Sequence, residues 1–418
     1  MKKRFIIILQ LFYAFLNNGH AIELKEVASG LYHTLMLFDN GTIMSVGNNS
    51  YGQLGNGKKN QENSKKKKNY VKSKNKFISI AAGYNHSLAV SEDGTLWGWG
   101  SNKDLQLGDI KFSGRKDVFY IPIKINNESN WKKVFADGNV SFAIKNDGSL
   151  WNISDNKEIK NQNNAKWKDL KICTYFFLDD FIYNIVLKDD NDDFWLLSIS
   201  DEDSFSCFSL LNIQNTESIY LSKLDIDSKT QDFSMNSFSG YYNSDNDIKL
   251  WGASIISEDM IMKKYFEGTS LDFYKWLKTQ SVTIMQKNIK KIIHGSFISD
   301  IYFLSELQQK NINNDYTMLN SSYTLILQED GSFTLWTNGK KLKNNAAIKI
   351  KNIYGNYNLV LEDFENNLYI IGYNFFDSLG EIEENNNNDF KQSFIFLKSF
   401  FNKGTTGHID RSIENISK

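Results

Sequence analysis

The sequence predicts an all-β protein made of a repeated hairpin unit that closes into a β-propeller. Three observations carry this. Short apolar runs come in pairs, an Asp-Gly or Asn-Gly step joins the members of a pair, and the pairs return after about 53 residues. Residues 27–57 read VASGLYHTLMLFDNGTIMSVGNNSYGQLGNG, and residues 80–108 read IAAGYNHSLAVSEDGTLWGWGSNKDLQLG. Gly30 aligns with Gly83, His33 with His86, Gly41 with Gly94, Gly47 with Gly100, and Gly55 with Gly108.

Each unit has a physical reading. HSLAV and TLWGW are strand-like runs, and the Asp93-Gly94 step between them readily takes the positive φ of a hairpin turn. Gly83 and Gly100 stand where backbone must bend or approach another chain segment closely. Short antiparallel sheets repeated about an axis bury both faces against their neighbours.

Further units follow. VFADGNVSFAIKNDGSLWNIS (134–154) is a third copy. Residues 172–200 and 235–254 keep only parts of the pattern, whereas 293–339, with Gly331 and Trp336, and 353–381 are clearer. The stretch 255–320 carries no recognisable unit. Within it, 257–280 places Leu271, Tyr274 and Leu277 at helical spacing, so a partly helical insertion near 255–290 is expected, a pair of unusual strands being the other reading.

The units resemble the repeat of the regulator of chromosome condensation family. The residues carrying the resemblance are Ala81-Ala82-Gly83, His86, Asp93-Gly94, Trp97, Trp99-Gly100 and Asn102, with Gly52-Gln53-Leu54-Gly55-Asn56-Gly57 in the first unit. The resemblance implies a seven-bladed β-propeller of about 50-residue repeats. The founding member promotes guanine nucleotide exchange on a small GTPase, so an exchange-factor-like role is the alternative this resemblance raises.

Composition bounds the rest. The chain has 418 residues, is 41% hydrophobic and has a net charge of −1. That suffices for a large core and gives no global field toward nucleic acid or membrane. Lys2, Lys3 and Arg4 precede the apolar run Phe5 to Leu16, and Gly19 and Ala21 stand at the −3 and −1 positions of a cleavage site. This is a secretory signal-peptide pattern, too short in its apolar part to span a bilayer. The expected organisation is a signal peptide at 1–21, a propeller over 22–405 and a tail at 406–418. An exported protein, whether periplasmic, on the cell surface or secreted, follows, with no transmembrane segment.

No residue set points to chemistry. His33 and His86 recur at one repeat position, where sister units carry Val140, Tyr323 and Asn358. They are read as structural, each hydrogen-bonded within its own blade. Trp97 and Trp99 alternate along one strand and face opposite sides, one of them filling an inter-blade gap. Most other units have a single tryptophan or none, so a light-sensing cluster is not expected. Residues 189–193 (DDNDD) lack the glycine of a calcium loop and read as an acidic turn. Phosphate-loop, nucleophile-elbow and zinc-protease motifs are absent, as is Cys-x-x-Cys. Cys173 and Cys207 pair or remain buried thiols. No enzyme, cofactor or metal site is expected.

The run Lys58–Lys76 is the strongest local charge feature and contains Lys65, Lys66, Lys67 and Lys68. It is read as an extended loop on one rim, and its lysines are the candidate contact to an acidic partner. The expectation is a monomeric, non-enzymatic scaffold that binds a protein partner through rim loops, with no nucleic acid.

Overall fold

The computed structural model describes residues 23–58, 69–110, 117–160, 165–177, 180–198, 220–223, 230–235, 239–244, 247–252, 260, 281–285, 288–298, 320–337, 340–343, 349–355, 359–364, 368–371 and 394–396. Among them every regular element is a strand, and the strands form seven four-stranded sheets. The sheets run from Leu24 to Tyr70, Phe77 to Lys124, Trp131 to Glu158, Trp167 to Lys223, Thr230 to Met285, Ile289 to Lys343, and Ile350 to Phe396. Each strand pairs antiparallel with the next one in the chain, so each sheet is a meander of one contiguous segment. The fold is a β-propeller.

The second strand of a sheet shows why the sequence folds this way. HTLMLF (His33–Phe38), HSLAVS (His86–Ser91) and VSFAIK (Val140–Lys145) are buried at every position. A strand covered on both faces reads as continuous rather than alternating, because neighbouring sheets pack on each side. The apolar clusters accordingly straddle sheet boundaries. Leu35 and Leu37 of the first sheet pack with Leu88 and Trp99 of the second and Trp131 of the third. The last sheet meets the first in the same manner: Tyr354 and Val360 share a cluster with Val27, Met36 and Val46. Each fully buried aliphatic side chain contributes about 1.5–3 kcal/mol. Closure between first and last sheets rests on this packing together with a contact of Tyr354 Oη to Leu24 O at 3.5 Å.

The first strands adjoin one another around the axis and form the inner strands. Two ends of the sheets can then be distinguished. The Asp-Gly turns between second and third strands mark one end, the turn rim. The first-to-second turns and the third-to-fourth connections mark the other, the loop rim. All seven inner strands share a β-bulge near the turn rim, where the register skips one residue.

The expected signal peptide (1–21), the tail and the helical stretch 257–280, Met260 apart, lie outside the described residues. Residues Ser281–Met285 and those from Ile289, which the expected insertion included, are strand. Cys207 also lies outside. Among the described residues no helix is long and apolar enough to cross a membrane.

Candidate recognition surface and its framework

His33 and His86 are completely buried. His33 Nε2 lies 2.7 Å from Ser87 Oγ, and His86 Nε2 lies 2.8 Å from Ser141 Oγ. Each bond crosses to the next sheet, which corrects the expectation of a partner in the same blade. Ser87 Oγ donates its proton to Gln53 O at 2.9 Å, so the imidazole of His33 is the donor in its bond to Ser87. Burial pushes both imidazoles down to about 3, and they are neutral at pH 7. A neutral ring committed to a neighbour is no proton shuttle. The glycine three residues earlier makes room for it: a Cβ on Gly83 would sit 2.1 Å from His86 Cε1 and 2.7 Å from Gly138 O.

The tryptophans divide as their alternation predicts. Trp99 is fully buried and its Nε1 donates to Gln53 O at 2.8 Å. It fills the space between the second sheet and the Gly52–Gly57 loop of the first, where a Cβ on Gly55 would meet its indole at 2.8 Å. Trp97 is only part-buried, and its Nε1 donates to Thr95 Oγ1 at 2.7 Å, just before its own strand. Trp336, the counterpart of Trp99, packs at the edge of the cluster shared by the fifth and sixth sheets.

The loops after the third strands carry their own scaffolding. Asn49 Oδ1 accepts the Leu54 N–H at 3.0 Å while its Nδ2 donates to Lys58 O at 3.0 Å. Asn102 repeats this with the Leu107 N–H at 2.8 Å and Gly108 O at 3.1 Å. Gly47 and Gly100 pair with His33 and His86 across the hairpins.

At the turn rim, each Asp-Gly step sits in a three-residue hairpin loop. Gly94 N–H reaches Ser91 O at 2.9 Å, Ser91 N–H reaches Thr95 O at 3.0 Å, and Gly94 alone has positive φ, +76°. This is a type I turn followed by a left-handed residue. Gly41 and Gly331 close equivalent turns. Asp93 accepts from the Ser91 hydroxyl and from the Thr95 hydroxyl and N–H, and these bonds hold its carboxyl below the usual range. The acidic segment 189–193 is the same turn in the fourth sheet. Asp189 is buried; its Oδ1 accepts the Asn191 and Asp193 N–H groups at 3.0 and 2.9 Å, and its Oδ2 accepts Trp195 Nε1–H at 2.9 Å. Asp192 pairs with Lys168 and Lys188 at 2.6 and 3.0 Å. Among the described residues no group of side chains is arranged to hold a metal ion.

Lys65 to Lys68 lie outside the described residues. The strand Asn69–Tyr70 interrupts the run they belong to, so Lys58–Lys76 is not one loop. Lys58 is exposed at its start, whereas Lys72, Lys74 and Lys76 are exposed on the connector into the second sheet. A second charged group lies at the inner strands: Lys133 Nζ is 2.6 Å from Asp169 Oδ1 on the next sheet. Glu26 is close to both. Burial raises its carboxyl to about 7 against the opposing pull of Lys133.

Two models described as regulator of chromosome condensation (RCC1) repeat match the chain, one at residues 24–53 and 77–106, the other at 40–90 and 93–144. The chain carries regulator of chromosome condensation repeats. The mitochondrial RCC1 domain-containing protein RUG3 of Arabidopsis thaliana is 31% identical over 105 residues, 25% of this chain and 23% of its own length. The human X-linked retinitis pigmentosa GTPase regulator is 36% identical over 86 residues, 21% of this chain and 8% of its own length. The aligned segment thus spans under a quarter of these curated relatives. Among solved structures, Prp20p of Saccharomyces cerevisiae superposes with a TM-score of 0.54 at 15% identity, covering 86% of this chain and 85% of that one. Human WBSCR16 does so with 0.51 at 11%, covering 80% and 84%. These two likenesses concern the fold.

For a regulator of chromosome condensation repeat protein, the residues that sequence reasoning overlooked are instructive. Ser87, Ser141 and Gln53 complete the inter-sheet bonds; Ser87 and Ser141 share one repeat position and Gln53 recurs as Gln106, but nothing local marks any of them as a partner across sheets. Glu26, Lys133 and Asp169 gave no signal, because the bulge that aligns them is invisible in a strand-like run.

Proposed function

We propose that this chain is an exported, non-enzymatic, monomeric, seven-bladed propeller scaffold that recognises a protein partner through its rim loops. The observation that carries the reading is the commitment of the described histidine and turn-aspartate positions to the framework. His33, His86, Asp93 and Asp189 are all engaged inside or between sheets. Recognition then falls to loops held on a rigid frame. Yeast Prp20p binds Gsp1p and histones and has been seen with Kap60 bound, which supports partner binding on this fold. The signal-peptide pattern at 1–21 supports export. Affinity capture with a C-terminal tag from the chain's own host, from envelope and medium fractions, tests this. One stoichiometric protein is expected; a cytosolic location with no partner overturns it.

A second reading is nucleotide exchange on a small GTPase. The named GTPase regulator among the relatives favours it. Accelerated release of a labelled guanine nucleotide from the captured partner would establish it, and an unchanged release rate would exclude it.

A further inference from the structure

The inner-strand bulge gives the turn rim a chemical character. The residue that the bulge skips is Lys25, Ile78, Lys132, Lys168, Gln231, Lys290 or Lys351 in sheets one to seven. Five of the seven are lysines, set at one level around one axis, in a chain whose net charge is −1. The following position adds Lys133 and Lys291, opposed by Glu26, Asp169 and Asp232. Some of this charge is compensated. Lys168 pairs with Asp192 at 2.6 Å, Lys351 with Glu362 at 3.3 Å and Lys133 with Asp169 at 2.6 Å. Lys132 and Lys290 are exposed and make no ion pair with the described residues. The sheets are locked to one another at this level. Lys25 Nζ donates to Ile78 O on the next sheet at 3.3 Å.

We propose that the turn-rim mouth of the axis, ringed by Lys25, Lys132, Lys168, Lys290 and Lys351, docks an acidic peptide segment of a protein partner. This rests on the scaffold reading above and names the partner's chemistry. Two features choose carboxylates on a peptide over nucleic acid. The cations are lysines, point charges without the bidentate fork that matches phosphate, and the described residues contain no arginine. The rings beside the bulges are already covered: Lys133 lies over Phe135 and Lys291 over Tyr354, at 5.1 and 5.0 Å, so neither of these two offers an open face for base stacking.

The test uses the full chain with fluorescent oligoglutamate, oligoglutamine and oligothymidylate probes, read by anisotropy at low and moderate salt. Oligoglutamate should bind, weaken with salt, and lose about tenfold affinity in the Lys132→Glu/Lys290→Glu double variant. Lys58→Glu/Lys103→Glu, exposed on the loop rim, should change it by less than about twofold. Both variants are charge reversals at exposed positions, and circular dichroism checks that they fold. Equal losses in both variants, tighter binding of oligothymidylate, or no binding of oligoglutamate at low salt would overturn the proposal. A captured partner that binds the Lys132→Glu/Lys290→Glu variant unchanged would overturn it as well, while leaving the scaffold reading in place.

Discussion

His33 of the first sheet donates to Ser87 of the second at 2.7 Å, and Ser87 passes its own proton to Gln53 O back on the first sheet. The two sheets are thereby stitched in both directions through one hydroxyl. Deleting the ring should cost about 3 kcal/mol, combining an emptied buried site with a partly unsatisfied serine. Ser87→Ala should cost about 1–2 kcal/mol. The double variant should fall short of the sum by about 1 kcal/mol, measured by urea unfolding. Strict additivity would show that the bond itself contributes nothing.

The same burial makes the protein acid-sensitive. His33 and His86 have their native values lowered to about 3. Between there and the ordinary imidazole value near 6.5, the unfolded chain binds protons that the native state does not. Stability is therefore complete above that range and falls as pH drops through it, by about 1.4 kcal/mol per unit per histidine. Glu26 opposes this. Its native value is raised to about 7, so the folded state binds the extra proton as pH falls from there toward the ordinary carboxylate range. Its effect is the smaller because the side chain keeps some solvent contact. The net expectation at pH 5 is a loss of about 2–4 kcal/mol relative to neutral pH. Urea midpoints across that range measure it, and Glu26→Gln should steepen the decline. A flat profile would mean that the imidazoles are not buried neutral.

A loop comparison yields a stabilising change. Leu105 has φ +59° at the position that Gly52, with φ +78°, fills in the first sheet. A leucine in this region costs about 1–2 kcal/mol, and it is 37% exposed, so little packing is lost on removal. Leu105→Gly should raise stability by about 0.5 kcal/mol once the added freedom of the unfolded chain is counted. The converse, Gly52→Leu, should destabilise strongly, because a Cβ there would meet Phe119 O at 2.7 Å. Thermal unfolding of both variants checks the pair, and a destabilised Leu105→Gly would contradict the strain argument.

Two glycines one strand apart should differ. A Cβ on Gly83 would strike the His86 ring at 2.1 Å and Gly138 O at 2.7 Å, whereas on Gly98 it meets only the side-chain ends of Ile125 and Leu107, both at 2.9 Å. Gly83→Ala is expected to cost about 3 kcal/mol or more and Gly98→Ala about 1 kcal/mol. Equal costs in urea titrations would show that the His86 ring moves aside freely.

Legibility in the sequence followed what local residues report. Strand runs, Asp-Gly turns and the paired tryptophans were readable because each depends on neighbours a few residues away. The acidic turn at 189–193 was readable as a turn. The burial of Asp189 beneath it was not, since its partner Trp195 has no signature as a donor. The direction of the histidine bond was misjudged because Ser87 lies 54 residues from His33 and nothing local says which face of the strand looks forward.

The amino-acid sequence alone determined an all-β repeat protein of this family, because period and turn chemistry act within a single hairpin. The recurring histidines and glycines read from sequence as framework, because sister units carry Val140, Tyr323 and Asn358 at the histidine position. Only the tertiary structure decided how the sheets are joined, with histidine reaching to the following sheet and Tyr354 packing back on the first. It alone placed the inner-strand lysines at one level around the axis. That level is set by a bulge in register between two strands, a relation between backbones that no single strand's residues express.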